Sequence, residues 1–323
     1  MKKDILLSLI SFLLVISMHS QDRSTGKTFS TRSEVIARNG IAATTQPLAT
    51  QVAIDILKKG GNAIDAAIAA NATLGVVEPQ SNGIGGDFFV IYWDAKTQKL
   101  YGLNGSGRSP YNMTMKDLKE KGMSKIPLFG ALSISVPGCV DGWFTLHERF
   151  GKLEMKEILQ PAITYARNGF PVSELIAFEW RNSAERLKGY SGFAEVYMPG
   201  GKTPDKAEIF QNPALGNTLE IIANQGKSAF YNGVITEKMV EFLDENGSYL
   251  TLKDFQDHSS DWIEPVSTNY RGLDVWELPP NGQGIAALQI LNILEQYDVA
   301  SMGYGSSEYT HLFTEAKKLA YED

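Results

Sequence analysis

Ser106 and Arg108 stand in Asn104-Gly-Ser-Gly-Arg-Ser-Pro110, directly behind a short apolar segment, and by residue type they are the best candidates for handling a substrate. Loops at strand ends carry binding groups disproportionately. An arginine in such a loop can hold a carboxylate through two parallel hydrogen bonds; the alternative is an exposed turn arginine with no ligand. Ser106 is not expected to be a nucleophile. Gly105-Ser106-Gly107 has the wrong spacing for a G-x-S-x-G elbow, and no helix follows it. Asn82-Gly-Ile-Gly-Gly-Asp87 resembles a phosphate-binding loop only in its glycines, because it precedes a strand and lacks the P-loop lysine.

The other reactive side chains exclude more than they suggest. His19, His147, His258 and His311 lie far apart, none in a metal-ligand spacing. Cys139 is the sole cysteine, which rules out an intrachain disulfide and a multi-cysteine zinc site. Neither a metal nor another cofactor is expected. His147 falls at helical spacing beside Trp143, Phe144 and Leu146 and reads as a packing or surface residue, while His258 and His311 have no Ser or Asp that spacing assigns to a triad. Cys139 reads as a small buried hydrophobe. Sequons at Asn71, Asn104, Asn112 and Asn246 matter only where the source glycosylates. A net charge of −7 over 323 residues offers no positive field for nucleic acid or an anionic membrane.

The elements that must position these residues alternate between helix and strand. Leu48, Val52 and Ile56 recur every four residues behind Pro47, and Gly60-Gly61 ends that helix. Asn62 is expected to cap a second, alanine-rich helix from Ala63 to about Leu74, whose small side chains permit close approach to neighbours. Phe88-Phe-Val-Ile-Tyr-Trp93 is apolar at every position and is expected to be a strand buried on both faces. A hairpin-like link through residues 94–99 leads to a strand at Leu100–Leu103. Further helices are expected at Glu154–Asn168, Pro213–Gln225, Ile235–Glu245, Ile285–Gln296 and from Ser307 onward, with a strand at Leu273–Leu278 and a capping box at Thr251–Asp254.

At the N-terminus, a basic start, an apolar run from Ile5 to Ile16 and a polar stretch from Gln21 predict a signal peptide over 1–20. A flexible leader is expected over 21–33, and a secreted or periplasmic location follows. The apolar run is shorter than the ~20 residues of a membrane span, so stable membrane insertion is not expected. The last helix runs to Asp323 with no glycine, proline or basic stop, which predicts that the sequence is part of a longer chain.

Several motifs share an order. Pro47-Leu-Ala-Thr-Gln51, Gly60-Gly-Asn-Ala-Ile-Asp-Ala-Ala67, Pro79-Gln-Ser-Asn-Gly-Ile-Gly-Gly86, Ser135-Val-Pro-Gly138, Gln160-Pro-Ala162, Tyr165-Ala-Arg-Asn-Gly-Phe170, Ala229-Phe-Tyr-Asn-Gly233 and Tyr270-Arg-Gly272 follow one another from Val35 onward. With Pro279-Pro280 and Gln289-Ile-Leu-Asn-Ile-Leu294, the series resembles the γ-glutamyltranspeptidases, and Pro279-Pro-Asn-Gly-Gln-Gly284 is closer to the acylase-like branch.

The resemblance implies an α+β fold, the αββα sandwich of N-terminal nucleophile hydrolases, with residues 34–323 forming an incomplete large-subunit region. It implies a precursor that cuts itself in two, the small subunit from the same precursor being the partner. The small subunit's new N-terminal threonine is then the nucleophile and its α-amine the base, which is sensible for a group titrating near pH 8. That threonine is expected beyond Asp323; Thr44-Thr45 is not it, and no catalytic residue is assigned within this chain. The implied activity is γ-glutamyl transfer or hydrolysis on glutathione-type amides, with water, an amino acid or a peptide as acceptor. The alternatives are an amide acylase with another donor, or a non-catalytic secreted binding relative. This chain alone is expected to be inactive. The family's donor-carboxylate arginine, aligned on Pro110, falls at Ser106; Arg108 is two residues on, about 6.5 Å along a strand.

Overall fold

The computed structural model describes residues 34–322, so the expected signal peptide and leader lie outside the described residues. The chain divides into two units after Ile41. Residues 34–41 contain no helix or strand, and the architecture below is that of the second unit, from Ala42.

Two helices open it, α1 (Pro47–Lys58) and α2 (Ala63–Val77). Asn62 caps α2 by accepting from Ile64 N and Asp65 N, both at 3.0 Å, while Asp65 Oδ2 accepts from Asn62 N at 3.0 Å. The buried Asp65 carboxylate also takes Lys152 N and Leu153 N, so one cap ties the start of α2 to a loop 87 residues later. Helix α2 is buried almost all round, as a helix without a polar face must be. It packs on α1, on α3 (Cys139–Phe150) and on α4 (Met155–Asn168). Helix α5 (Glu174–Leu187), α6 (Pro213–Gln225) and α7 (Val234–Glu245) extend this helical side, and Trp143, Trp180, Phe170, Phe230 and Phe255 are its largest buried side chains.

Strands β1 (Phe88–Asp94) and β2 (Lys99–Gly105) form an antiparallel hairpin, Phe88 opposite Gly105 and Asp94 opposite Lys99. After the two-residue ribbon of β3 (Phe170–Pro171) and β4 (Ile209–Phe210), β5 (Asp261–Ile263) adds to β2, leaving β1 at the edge of a three-stranded sheet. A second hairpin, β6 (Val266–Tyr270) and β7 (Leu273–Glu277), carries α8 (Gly284–Leu294), against which α9 (Ser307–Glu322) packs.

The expectation that β1 is buried on both faces is wrong. Phe88, Val90 and Tyr92 face α3: Phe88 is buried, and Tyr92 joins Tyr101, Phe150 and Trp262 in a cluster with ring centroids 4.9–5.7 Å from Phe150. Phe89, Ile91 and Trp93 point the other way and are 43%, 42% and 55% exposed. The sheet is antiparallel and only its inner face meets α3. There Gly142 is required, because a Cβ would stand 2.6 Å from the Phe88 ring. Helix positions follow the sequence more closely. Expected ends move by no more than three residues, and Asp254 holds Thr251 N at 2.7 Å as the capping box requires.

Candidate functional site

The loop after β2 is tied down on several sides. Ser106 N donates to Asn104 Oδ1 at 2.9 Å, Gly107 N to Asp87 Oδ1 at 3.0 Å, and Val136 N to Arg108 O at 3.0 Å. Gly107 lets the segment around Val136 lie directly against the loop, since a Cβ there would overlap Val136 O at 1.7 Å. The start of α3 is docked in turn: Gly138 N and Cys139 N both donate to Gly86 O. The loop is therefore fixed by the Gly85-Gly86-Asp87 turn and by the run into α3, two motifs that the sequence reading treated separately.

Ser106 and Arg108 reach different partners. Asn281 Nδ2 donates to Ser106 Oγ at 2.9 Å, and Asn104 Nδ2 donates to Asn281 Oδ1 at 2.8 Å. The hydrogen-bond partners of Ser106 are thus neutral amides, Asn104 on β2 and Asn281 in the Pro-Pro-Asn-Gly turn between β7 and α8. Arg108 instead donates from Nη1 to Ser259 O at 3.1 Å and from Nη2 to Asp261 Oδ2 at 2.8 Å, with about half of its side chain exposed. A guanidinium has five N–H donors, so these two bonds orient it and leave others for a ligand. Asn104 and Asp261 are register partners on β2 and β5, on the same side of the sheet as the exposed residues of β1. Phe89, Ile91, Leu278 and Gly284 line a groove of about 410 Å³ along that side.

Behind the loop is a buried acid that sequence reasoning missed. Asp141, on the first turn of α3, accepts from Lys227 Nζ at 2.8 Å, from Ser260 N at 2.7 Å and from Thr145 Oγ1 at 3.3 Å. Burial pushes its carboxyl upward, but the bonds from Lys227 and Ser260 outweigh this and hold it below the usual carboxylate value. Asp141 N donates to Tyr231 OH, which donates to Pro137 O. His258 stacks on Tyr231 with ring centroids 5.4 Å apart, and its two buried ring nitrogens have no partner. Burial lowers its pKa, and among the described residues neither ring nitrogen meets the Ser and Asp side chains that a triad needs.

The remaining candidates have structural roles. Burial, with Asp87 nearby, pushes the Cys139 thiol up to about 12, so it is an inert buried group. His147 Nε2 lies 2.6 Å from Leu153 O as a packing residue, and His311 is exposed. Thr44 and Thr45 bond to Gln46 O and Glu78 beside the start of α1. Asn71 holds Trp143 Nε1 at 2.8 Å, which occupies that sequon inside the fold. Among the described residues, no cluster of His, Cys, Asp or Glu is arranged to hold a metal ion, and no helix is long and apolar enough to cross a membrane.

Comparison with known proteins bears on the family and the fold. Residues 49–323 match the family model described as gamma-glutamyltranspeptidase. The chain is 42% identical over 290 residues to the glutathione hydrolase-like YwrD proenzyme of Bacillus subtilis (strain 168), covering 90% of this chain and 55% of that protein. Among solved structures it is similar to cephalosporin acylase from Bacillus halodurans, with TM-score 0.84 and 39% identity over 93% of this chain and 56% of the other. It is also similar to Helicobacter pylori gamma-glutamyltranspeptidase, with TM-score 0.83 and 30% identity over 90% and 84% of the two chains. The chain spans about half the length of the curated relatives it matches.

Proposed function

The chain belongs to the gamma-glutamyltranspeptidase family and has the α+β fold of the N-terminal nucleophile hydrolases, and on that premise we propose that it is large-subunit sequence of an enzyme that transfers the acyl group of a γ-glutamyl amide to water or an amine. The nucleophile in this reading is an N-terminal threonine on the small subunit of the same precursor, with its own α-amine as base. The present chain contributes donor binding and no nucleophile, and is inactive by itself. An exported location, secreted or periplasmic, is part of the proposal and rests on the apolar run Ile5–Ile16.

The observation that carries the donor assignment is Arg108, a cation at the end of β2, oriented by Ser259 O and Asp261 with N–H groups to spare. The outer side of β1 supports the two-subunit reading. Phe89, Ile91 and Trp93 form an apolar strip on an edge strand, the kind of surface that a second sheet layer covers in a sandwich.

The full-length precursor tests the proposal. It is expected to mature into two polypeptides and to turn over a γ-glutamyl anilide, and Arg108→Ala is expected to raise the donor KM at least tenfold. An unchanged KM would remove Arg108 from the site. One observation favours a second reading, an acylase with another donor: the hydrogen-bond partners of Ser106 are the neutral amides of Asn104 and Asn281. Faster turnover of an acyl amide lacking the α-carboxylate than of the γ-glutamyl anilide would select it.

A further inference from the structure

We infer that Asp141 is a positioning residue for donor binding, acting through the Ser259–Asp261 segment on Arg108; this rests on the assignment of Arg108 to the donor carboxylate. Arg108 is oriented by two groups, Ser259 O and the Asp261 carboxylate, which flank Ser260 on both sides. Ser260 N is held by Asp141 Oδ2 at 2.7 Å, a bond to a charged acceptor from a side chain only 4% exposed. A charge-assisted bond of this kind is roughly twice as strong as a neutral one. It pins the residue between the two that grip Arg108.

Asp141 is itself over-determined. Lys227 Nζ occupies Oδ1 at 2.8 Å, Thr145 Oγ1 approaches Oδ2, and its own N–H donates to Tyr231 OH. The carboxylate therefore links α3, the lysine ahead of the 228–231 turn and the start of β5. Nothing about α3 as a helix needs an acid there that is buried and charged. An acid in the first turn does complement the helix dipole, but an exposed one would do so without desolvation. The burial is explained by the bond to Ser260. An arginine whose two anchoring groups drift by an ångström loses bidentate alignment with a carboxylate, which a donor KM reports.

The test uses the matured full-length protein with a γ-glutamyl anilide as donor. Asp141→Ala is expected to raise the donor KM about tenfold with kcat changed less than threefold, and Asp141→Asn, which keeps an oxygen for Ser260 N, to recover most of that loss. In the Arg108→Ala background, Asp141→Ala is expected to add less than twofold, because a residue acting through Arg108 has nothing left to orient. Leu219→Ala, in the core of α6, controls for destabilisation: it lowers Tm and leaves KM unchanged.

If Arg108→Ala raises KM and Asp141→Ala leaves it within twofold of wild type, the inference is overturned and the assignment of Arg108 survives. If Arg108→Ala itself has no effect, or the wild type does not turn over the anilide, the underlying reading fails and the inference with it. Should Asp141→Ala not fold, Asp141→Ser, whose hydroxyl is too short to reach Ser260 N, takes its place in both backgrounds with the same expected tenfold and less-than-twofold changes. A KM rise that persists undiminished without Arg108 refutes action through the guanidinium.

Discussion

The two sides of strand β1 have nearly the same composition and opposite fates. On one, Phe88, Val90 and Tyr92 meet α3 and an aromatic cluster; on the other, Phe89, Ile91 and Trp93 meet solvent and a shallow groove. A strand alternates its side chains strictly, so six consecutive apolar residues supply both sides equally. What differs is the partner. The inner side found α3, with Gly142 making room for Phe88, whereas the outer side borders a groove whose far wall is the turn into α8. Apolar character marks a surface for burial without saying what buries it.

The largest predicted effect is on the inner side. Phe88→Ala, buried against Gly142 of α3, is expected to cost about 3–5 kcal/mol in chemical denaturation, as for large core truncations; a loss below about 1 kcal/mol would mean that the inner side is not a packed interface. Gly142→Ala places a methyl against Phe88 and is expected to cost about 1–3 kcal/mol by overpacking. His258→Phe acts in the opposite direction. It removes two buried nitrogens without partners and keeps the stacking on Tyr231, so a gain of about 1 kcal/mol is expected at neutral pH.

The same histidine sets a pH dependence. Its folded pKa is depressed, so below its ordinary value near 6.5 the unfolded chain takes up a proton that the folded chain does not. Stability is therefore full above about pH 6.5 and falls as the pH drops toward the folded value. His258→Phe is expected to flatten that part of a Tm-against-pH curve. Asp141, also depressed, stabilises above the ordinary aspartate value near 3.9, and that contribution is lost only at lower pH, as its folded pKa is crossed. The smallest effect belongs to the outer side: Trp93→Thr is expected to change the stability of this chain by no more than about 0.5 kcal/mol. A cost comparable to Phe88→Ala would abolish the contrast between the two sides.

Much of the fold was legible because it is written locally. Asn62 and Asp65 cap α2 within three residues of each other, Gly60 ends α1 with a positive φ, and the β1–β2 turn closes over a few positions. The candidate site was legible only as a loop. Arg108 and Ser106 stood out by type and position, but the bonds that give them meaning span 151 to 175 residues, to Ser259, Asp261 and Asn281. Asp141 gave no signal at all, because an aspartate early in a helix is an ordinary surface residue until a lysine 86 positions away is folded onto it.

By itself the sequence determined most of the longer helices to within three residues, the β1–β2 hairpin, and the order of motifs that places the chain in its family. These depend on hydrogen bonds and periodicities a few residues long, which every stretch of chain carries with it. The tertiary structure alone decided which side of β1 is covered, that Arg108 is gripped by the start of β5 while Ser106 faces neutral amides, and that Asp141 is buried behind them. Each of those outcomes depends on which distant segments come to lie together. A residue's identity does not fix its partners across the fold.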